Sequence, residues 1–316
     1  MSSGLFSIAT ATRTLFASVL LCIMGACAPM MMPVSDLPPA LHAVREDGKT
    51  VRLAVREAGR GKPILLLHGL GASSYTWHAI MPQLAKTHRV IALDLKGFGQ
   101  SDKPLDDAYS ISDQARLVED YIARNNLRGV TLVGHSFGGT VAMAIALDDA
   151  AKGGAHRIEK LVLVDSLAYK QPVPFFFRVL RTPILGELGL SLIPPDVQAA
   201  RALAIAYYHG ERVKDETVAS YAEALRSEGG KHALLSTVEN LTKEDADAFS
   251  ARYPELKTPT LLIWCEHDRI VPLRFGKRLD QDLPNAKVKV IEECGHIPQE
   301  EEPGETAAAI QGFAAR

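Results

Sequence analysis

Cysteine is scarce in this 316-residue chain: there are four, and only Cys265 and Cys294 lie beyond the first 27 residues. Two such residues cannot staple a disulfide scaffold, and they lack the paired spacing of a zinc site, so no metal is expected. Charge of one sign is equally short. The formal net charge is -2, with 23% charged residues, which leaves no basic stripe to concentrate nucleic acid and no acidic tail. A nucleic-acid partner is therefore not expected. The chain has no internal repeat and no low-complexity segment within its domain. What it does have is 47% hydrophobic residues in 34.3 kDa, enough to bury the core of one domain plus an insertion.

The amino terminus differs from the rest. Arg13 precedes the apolar run Leu15 to Ala26, too short to span a bilayer comfortably but suited to the core of an export signal, assigned here to residues 1–26. Met24-Gly25-Ala26-Cys27 resembles the lipobox of bacterial lipoproteins, in which small residues precede a cysteine that becomes the acylated first residue. Met24 stands where Leu or a similar apolar residue is usual. Ordinary cleavage after Ala28 would place Pro29 at the scissile bond, where its fixed backbone is poorly tolerated. Lipidation at Cys27 is the expectation, with the mature protein held on a bacterial membrane and facing the periplasm or the cell exterior. Residues 27–40 hold the proline-rich PMMMPVSDLPP and form a tether without helical or strand period.

From residue 41 strands and helices alternate, the pattern of a mainly parallel sheet covered on both faces. LHAVREDGKTVRLAV holds two alternating runs around Asp47-Gly48, a hairpin signal. Six short buried-strand runs follow, beginning at Ile64, Val90, Val130, Leu161, Thr260 and Val288. The sum is an eight-stranded α/β sheet. The clearest helices cover Ser110 to Ala123, Thr140 to Leu147, Leu273 to Leu279 and Thr306 to Phe313. About 80 residues, 168–248, lack a strand signal and are predicted to be a helical cap insertion, leaving 41–167 and 249–316 as the core domain. The insertion is rich in apolar residues, among them Phe175, Phe176, Phe177, Val179, Leu180, Leu188 and Tyr207. Most would form its own small core, and a minority would line an apolar substrate pocket.

The strongest chemical signal is the strand Val130 to Val133, followed at once by Gly134-His135-Ser136-Phe137-Gly138 and an Ala-rich helix. A sharp strand-to-helix turn would strain the serine backbone and lift its hydroxyl clear of the sheet, while the flanking glycines remove side chains that would collide. The turn predicts that Ser136 is presented rather than buried. A helix start also offers free N–H groups and a positive dipole end to a developing oxyanion. Upstream, the strand Ile64 to Leu67 ends in His68-Gly69-Leu70-Gly71, a turn that would let the N–H of Leu70 join that of Phe137 in an oxyanion hole. His68 itself is expected to be structural.

With these motifs the chain resembles the α/β-hydrolase fold family, in the branch of capped esterases, haloalkane dehalogenases, epoxide hydrolases and carbon–carbon bond hydrolases. The resemblance covers nearly all of 41–316. It includes Trp77 and the loop Asp94-Leu95-Lys96-Gly97-Phe98-Gly99-Gln100-Ser101, similar to the family's Asp-x-x-Gly-x-Gly-x-Ser. Dehalogenases and epoxide hydrolases carry Asp at the elbow, so Ser136 argues against both. A serine hydroxyl needs a base and an orienting acid, which in this fold follow the serine in the order acid, then histidine. Cys294-Gly295-His296 after the last strand resembles the position of the family's catalytic histidine. Glu266-His267-Asp268-Arg269-Ile270-Val271-Pro272 resembles the acid loop and makes Asp268 the leading acid, with Glu266 and Asp165, each just after a strand, as substitutes.

The expected activity is hydrolysis of a carboxylic ester of a small or medium apolar substrate, through an acyl-enzyme on Ser136 and without a cofactor. Carbon–carbon bond hydrolases are the nearest alternative; in that group Asn usually precedes the nucleophile and Trp often follows the histidine, whereas this chain has His135 and Ile297. Thioesterases, lactonases and perhydrolases share the same residues. A non-catalytic binding module would be expected to lack a triad member. Cys265 and Cys294 fall at the ends of two strands adjacent in this fold, where geometry permits a disulfide without guaranteeing it; two buried, unpaired thiols packing as small apolar groups are the commoner outcome.

Overall fold

Ile64, Leu65, Leu66 and Leu67 are all fully buried, and they alternate between two separate cores. Leu65 and Leu67 join one cluster and Ile64 and Leu66 the other, as the two-residue period of a strand requires when both faces of a sheet are covered. In the computed structural model, residues 39–46, 48–152, 157–171 and 182–316 are described, without the side chains of 183–185 and 187. The predicted signal 1–26, Cys27 and nearly all of the 27–40 tether lie outside these residues. So do Asp47 and Phe175, Phe176, Phe177, Val179 and Leu180 of the predicted insertion.

Eight strands form one sheet: β1 (Ala40–Glu46), β2 (Lys49–Ala58), β3 (Pro63–Leu67), β4 (Arg89–Leu93), β5 (Val130–His135), β6 (Ile158–Val164), β7 (Thr260–Cys265) and β8 (Ala286–Ile291). Their spatial order is β1-β2-β4-β3-β5-β6-β7-β8. Only β2 runs against the rest, pairing antiparallel with β1 and β4. The edge strand β8 exposes Lys287 and Lys289 on one face, which discourages pairing with another chain.

Helices α1 (Ile111–Arg124), α2 (Phe137–Ala151) and α8 (Leu273–Asp282) cover one face of the sheet, and α9 (Pro303–Ala314) the other. The start of α1 is fixed by a capping box, in which Ser110 Oγ accepts from the Asp113 N–H at 3.1 Å and Asp113 Oδ2 from the Ser110 N–H at 2.9 Å. Between β6 and β7 there is no strand among the described residues. The segment instead carries α3 (Pro183–Leu192), α4 (Pro195–Ala206), α5 (Asp215–Glu223), α6 (Glu228–Lys243) and α7 (Ala246–Ala251). This is the stretch from which strand periodicity was absent.

The chain moves from β3 outward to β4, then crosses back to β5 on the other side of β3. The carboxyl ends of β3 and β5 therefore flank the point where strand order reverses, the place where open α/β sheets leave a crevice.

Candidate active site

Ser136 follows β5 directly and begins α2, with φ +51° and ψ -119°. Side chains rarely adopt this conformation, and it holds only because the surroundings impose it. The Ser136 N–H donates to the Val164 carbonyl at 2.9 Å, and its carbonyl accepts from the Gly139 N–H at 2.9 Å. Two glycines make the turn possible by close approach. A Cβ on Gly138 would lie 2.4 Å from the His68 carbonyl oxygen, and one on Gly134 would lie 2.3 Å from the carbonyl oxygen of Gly138. Helix α2 thus packs against the backbone end of β3.

That packing sets Leu70 beside the elbow. Leu67 pairs with Gly134 across β3 and β5, so Leu70 and Phe137 each stand three residues beyond a paired position. Phe137 is the first residue of α2, and its N–H has no intrahelical acceptor.

Asp268 lies three residues past β7 and His296 five past β8, and the two meet: His296 Nδ1 is 2.8 Å from Asp268 Oδ2. Asp268 Oδ1 accepts from the N–H groups of Ile270 at 2.7 Å and Val271 at 2.9 Å, which locks the carboxylate. With Nδ1 turned to the acid, Nε2 is the imidazole nitrogen left for chemistry. Of the substitute acids, Glu266 is half exposed, while Asp165 is fully buried and stands beside Asp268.

Ser136 and His296 line one cavity of about 140 Å³ with Leu70, Leu203, Tyr221 and Ile297. Among the described residues no Lys, Arg, Asp or Glu lines it. A second cavity, of about 340 Å³, also reaches Ser136 and is lined by Lys170, Glu244, Asp245 and Asp247. Ser136 is therefore not presented openly. It is only 7% exposed, because residues of α4, α5 and α6 roof the turn that the elbow lifts above the sheet.

His135 was passed over in the sequence apart from its contrast with Asn. Its Nε2 donates to the backbone carbonyl of His296 at 2.7 Å, and the ring centroids are 4.9 Å apart. Burial, with the neighbouring imidazole, holds it well below the ordinary histidine value. His68 is likewise neutral through burial, its Nε2 accepting from the Leu95 N–H at 3.0 Å and its Nδ1 donating to the Gly69 carbonyl at 2.8 Å. Both bonds serve the β3 turn.

The segment between β6 and β7 is fastened to the histidine loop. Glu301 accepts from the Gly295 N–H at 2.9 Å and the Tyr208 N–H at 2.7 Å. Glu300 accepts from the hydroxyls of Thr76 and Tyr221 at 2.6 Å and Tyr207 at 2.8 Å. Burial pushes both carboxyls up, and these donors oppose it. Nothing in Pro298-Gln299-Glu300-Glu301 distinguishes these two from ordinary acids at a helix start, so sequence reasoning missed them.

Among the described residues, the one grouping of His, Cys, Asp and Glu close enough to share a metal ion is Asp165, Asp268 and His296. The Asp268–His296 hydrogen bond already occupies the nitrogen of that set that faces the acid.

Residues 62–303 match the family model for the alpha/beta hydrolase fold. The chain belongs to the α/β-hydrolase fold family. An uncharacterised protein of Mycobacterium tuberculosis is 30% identical to it over 298 residues, 90% of this chain and 84% of the relative. A 2-hydroxymuconate semialdehyde hydrolase of Pseudomonas putida is 29% identical, over 84% of this chain and 91% of the relative. Among solved structures, the meta-cleavage product hydrolase CumD of Pseudomonas fluorescens superposes with a TM-score of 0.73 at 25% identity, covering 86% of this chain and 96% of that one. A thermophilic esterase of Thermogutta terrifontis gives 0.74 at 22% identity, over 88% and 98%, a likeness of fold. Membership of a hydrolase family that acts on small molecules follows from these relatives and the family match.

Proposed function

We propose that this α/β hydrolase is a serine esterase that cleaves a carboxylic ester of a small or medium apolar substrate. The observation that carries the reading is the Asp268–His296 pair opening onto the same uncharged cavity as Ser136. The Ser136 Oγ attacks the ester carbonyl carbon as its proton passes to His296 Nε2, and Asp268 stabilises the imidazolium from the Nδ1 side. The N–H groups of Leu70 and Phe137 hold the oxyanion. Collapse expels the alcohol, which takes the proton from His296. Water then loses a proton to His296, attacks the acyl carbon and releases the acid, restoring the Ser136 hydroxyl. The helices α3 to α6 act as the cap that keeps bulk water out.

Carbon–carbon bond hydrolysis is the second reading, favoured by relatives such as the 2-hydroxymuconate semialdehyde hydrolase. Against it, that substrate's name describes a muconate derivative, and neither cavity offers an anion a convincing seat among the described residues. One has no Lys or Arg, and the other sets one lysine against three acids. Assaying p-nitrophenyl esters of increasing acyl length beside a dienoate ring-fission product separates the two. Turnover of the esters with little cleavage of the dienoate is expected. The reverse preference would overturn the esterase assignment.

From residues 1–26 and Cys27 we infer export and lipid attachment at Cys27. The Cys265–Cys294 disulfide supports export, since such bonds persist in oxidising compartments. No helix among the described residues is long and apolar enough to cross a membrane. Cys27→Ser should release the protein from membranes that retain the wild type through a salt wash; soluble wild type beginning at Pro29 would refute the anchor.

A further inference from the structure

Asp165 directly follows β6, with its side chain wholly inside the protein and its backbone at φ +42°. Its N–H donates to the Ile263 carbonyl at 3.0 Å, and its Oδ1 accepts from the Cys265 N–H at 2.9 Å. Oδ2 has no donor among the described residues. Carboxyl oxygens of Asp165 and Asp268 and a ring nitrogen of His296 lie within 4.8 Å of one another. Asp268 already receives three N–H donors, the pattern of an ionised acceptor. Asp165 receives one.

Two buried carboxylates this close are not both charged without a cation between them. The charged groups bearing on Asp165 are Asp268 on the β7 loop and Glu301 after β8, both acids. Toward Asp268 lie His296, with His135 behind it, and His135 is held neutral by its burial. Among the described residues no Lys or Arg bears on Asp165. We propose that Asp165 is the proton-bearing member of a carboxyl pair, its Oδ2–H donating to the Asp268 carboxylate, and that it serves as a positioning residue for the Asp268–His296 couple. Burial beside two acids, which pushes its pKa well above the ordinary carboxylate value, agrees with this. The donated proton fills a remaining lone pair of Asp268, fixes its rotamer, and limits the pull of that carboxylate on the imidazolium. Its consequence for rate rests on the triad proposed above; the protonation state does not.

Asp165→Asn tests both. The amide keeps an oxygen for the Cys265 N–H and a donor for Asp268 at nearly the same volume. In the infrared difference spectrum of wild type minus Asp165→Asn at neutral pH, a carbonyl stretch of a protonated carboxylic acid is expected, shifting on deuteration. Its absence would overturn the proposal whatever the enzyme hydrolyses. In kinetics, Asp165→Ala, which removes the donor, should lower kcat/KM and move the acid limb of its pH profile to higher pH, and Asp165→Asn, which restores a neutral donor, should recover most of both. Were Asp165 an anion, its loss would make the imidazolium harder to hold and move that limb down by about one pH unit or more. If the variant does not fold, carboxyl-carbon NMR of the labelled wild type decides. At least one aspartate still protonated at neutral pH supports the proposal, and none contradicts it.

Discussion

The backbone N–H of His296 donates to the carbonyl of Ala206 at 2.6 Å. The residue proposed as general base is thereby bonded to the end of α4, part of the segment that roofs its own cavity. Gly295 makes this approach possible, because a Cβ there would lie 2.2 Å from the same Ala206 oxygen. Cap and base are thus hydrogen-bonded to each other, and Glu301 ties the loop a second time through Gly295 and Tyr208.

Cutting that second tie should therefore be felt at the chemistry. Glu301→Ala is expected to lower kcat/KM by about ten- to a hundredfold, the cost of misplacing a catalytic group by a fraction of an ångström to an ångström. Arg212→Ala, which breaks the exposed pair with Glu302, should change it little. Steady-state kinetics of both variants, with melting curves, checks the contrast.

Strain at the elbow gives a prediction of opposite sign for stability and activity. Ser136→Gly should be inactive yet more stable than Ser136→Ala by about 1 kcal/mol, since glycine accepts a positive φ that alanine does not. Denaturant unfolding of the two variants measures the difference. Equal stability would mean the turn is not strained.

The Cys265–Cys294 disulfide closes a loop with a sequence separation of 29, for which loss of the cross-link is expected to cost about 3 kcal/mol. In a chain of this size that lowers the melting temperature by roughly 5 °C. Replacing both cysteines with alanine and comparing melting curves reads this directly. The bond joins the strand before Asp268 to the turn before His296, so ester turnover should fall before global unfolding is reached.

Asp165 also carries a pH-dependent signature in stability. Its pKa is raised in the folded protein by burial and by Asp268, so folding above the ordinary carboxylate range takes up a proton. The stability tied to this group is fully present below the unfolded-state pKa and is lost as pH rises through the folded-state value. Asp165→Asn escapes that loss. It should melt a few degrees above wild type at neutral pH, with the gap narrowing as the pH falls into the acid range.

What the sequence displayed was local. Ser136, Asp268 and His296 each sit at the end of a recognisable strand, inside a short motif whose turn chemistry is written in adjacent residues. The same holds for the eight strands and for the long strandless interval. Whatever depended on packing between distant segments was not displayed. Asp165 could be placed after β6, but its contact with Asp268 depends on the pairing of Val164 with Ile263 across β6 and β7. The bond from His296 to Ala206 spans 90 residues of chain, and no motif announces it. Ser136 was expected in the open because the elbow alone lifts it out; the roof comes from helices whose docking no local pattern encodes. The two cysteines were left undecided because Cys265 pairs with Ile291 in the ladder, and Cys294 reaches it only through the turn that follows.

The central claim, that Ser136 is an activated nucleophile, is tested most directly by fluorophosphonate labelling followed by peptide mass mapping. The expected result is a single adduct on Ser136 in wild type, and none in a Ser136→Ala variant that retains the wild-type circular dichroism spectrum. An adduct on another residue, or labelling retained in Ser136→Ala, would contradict it.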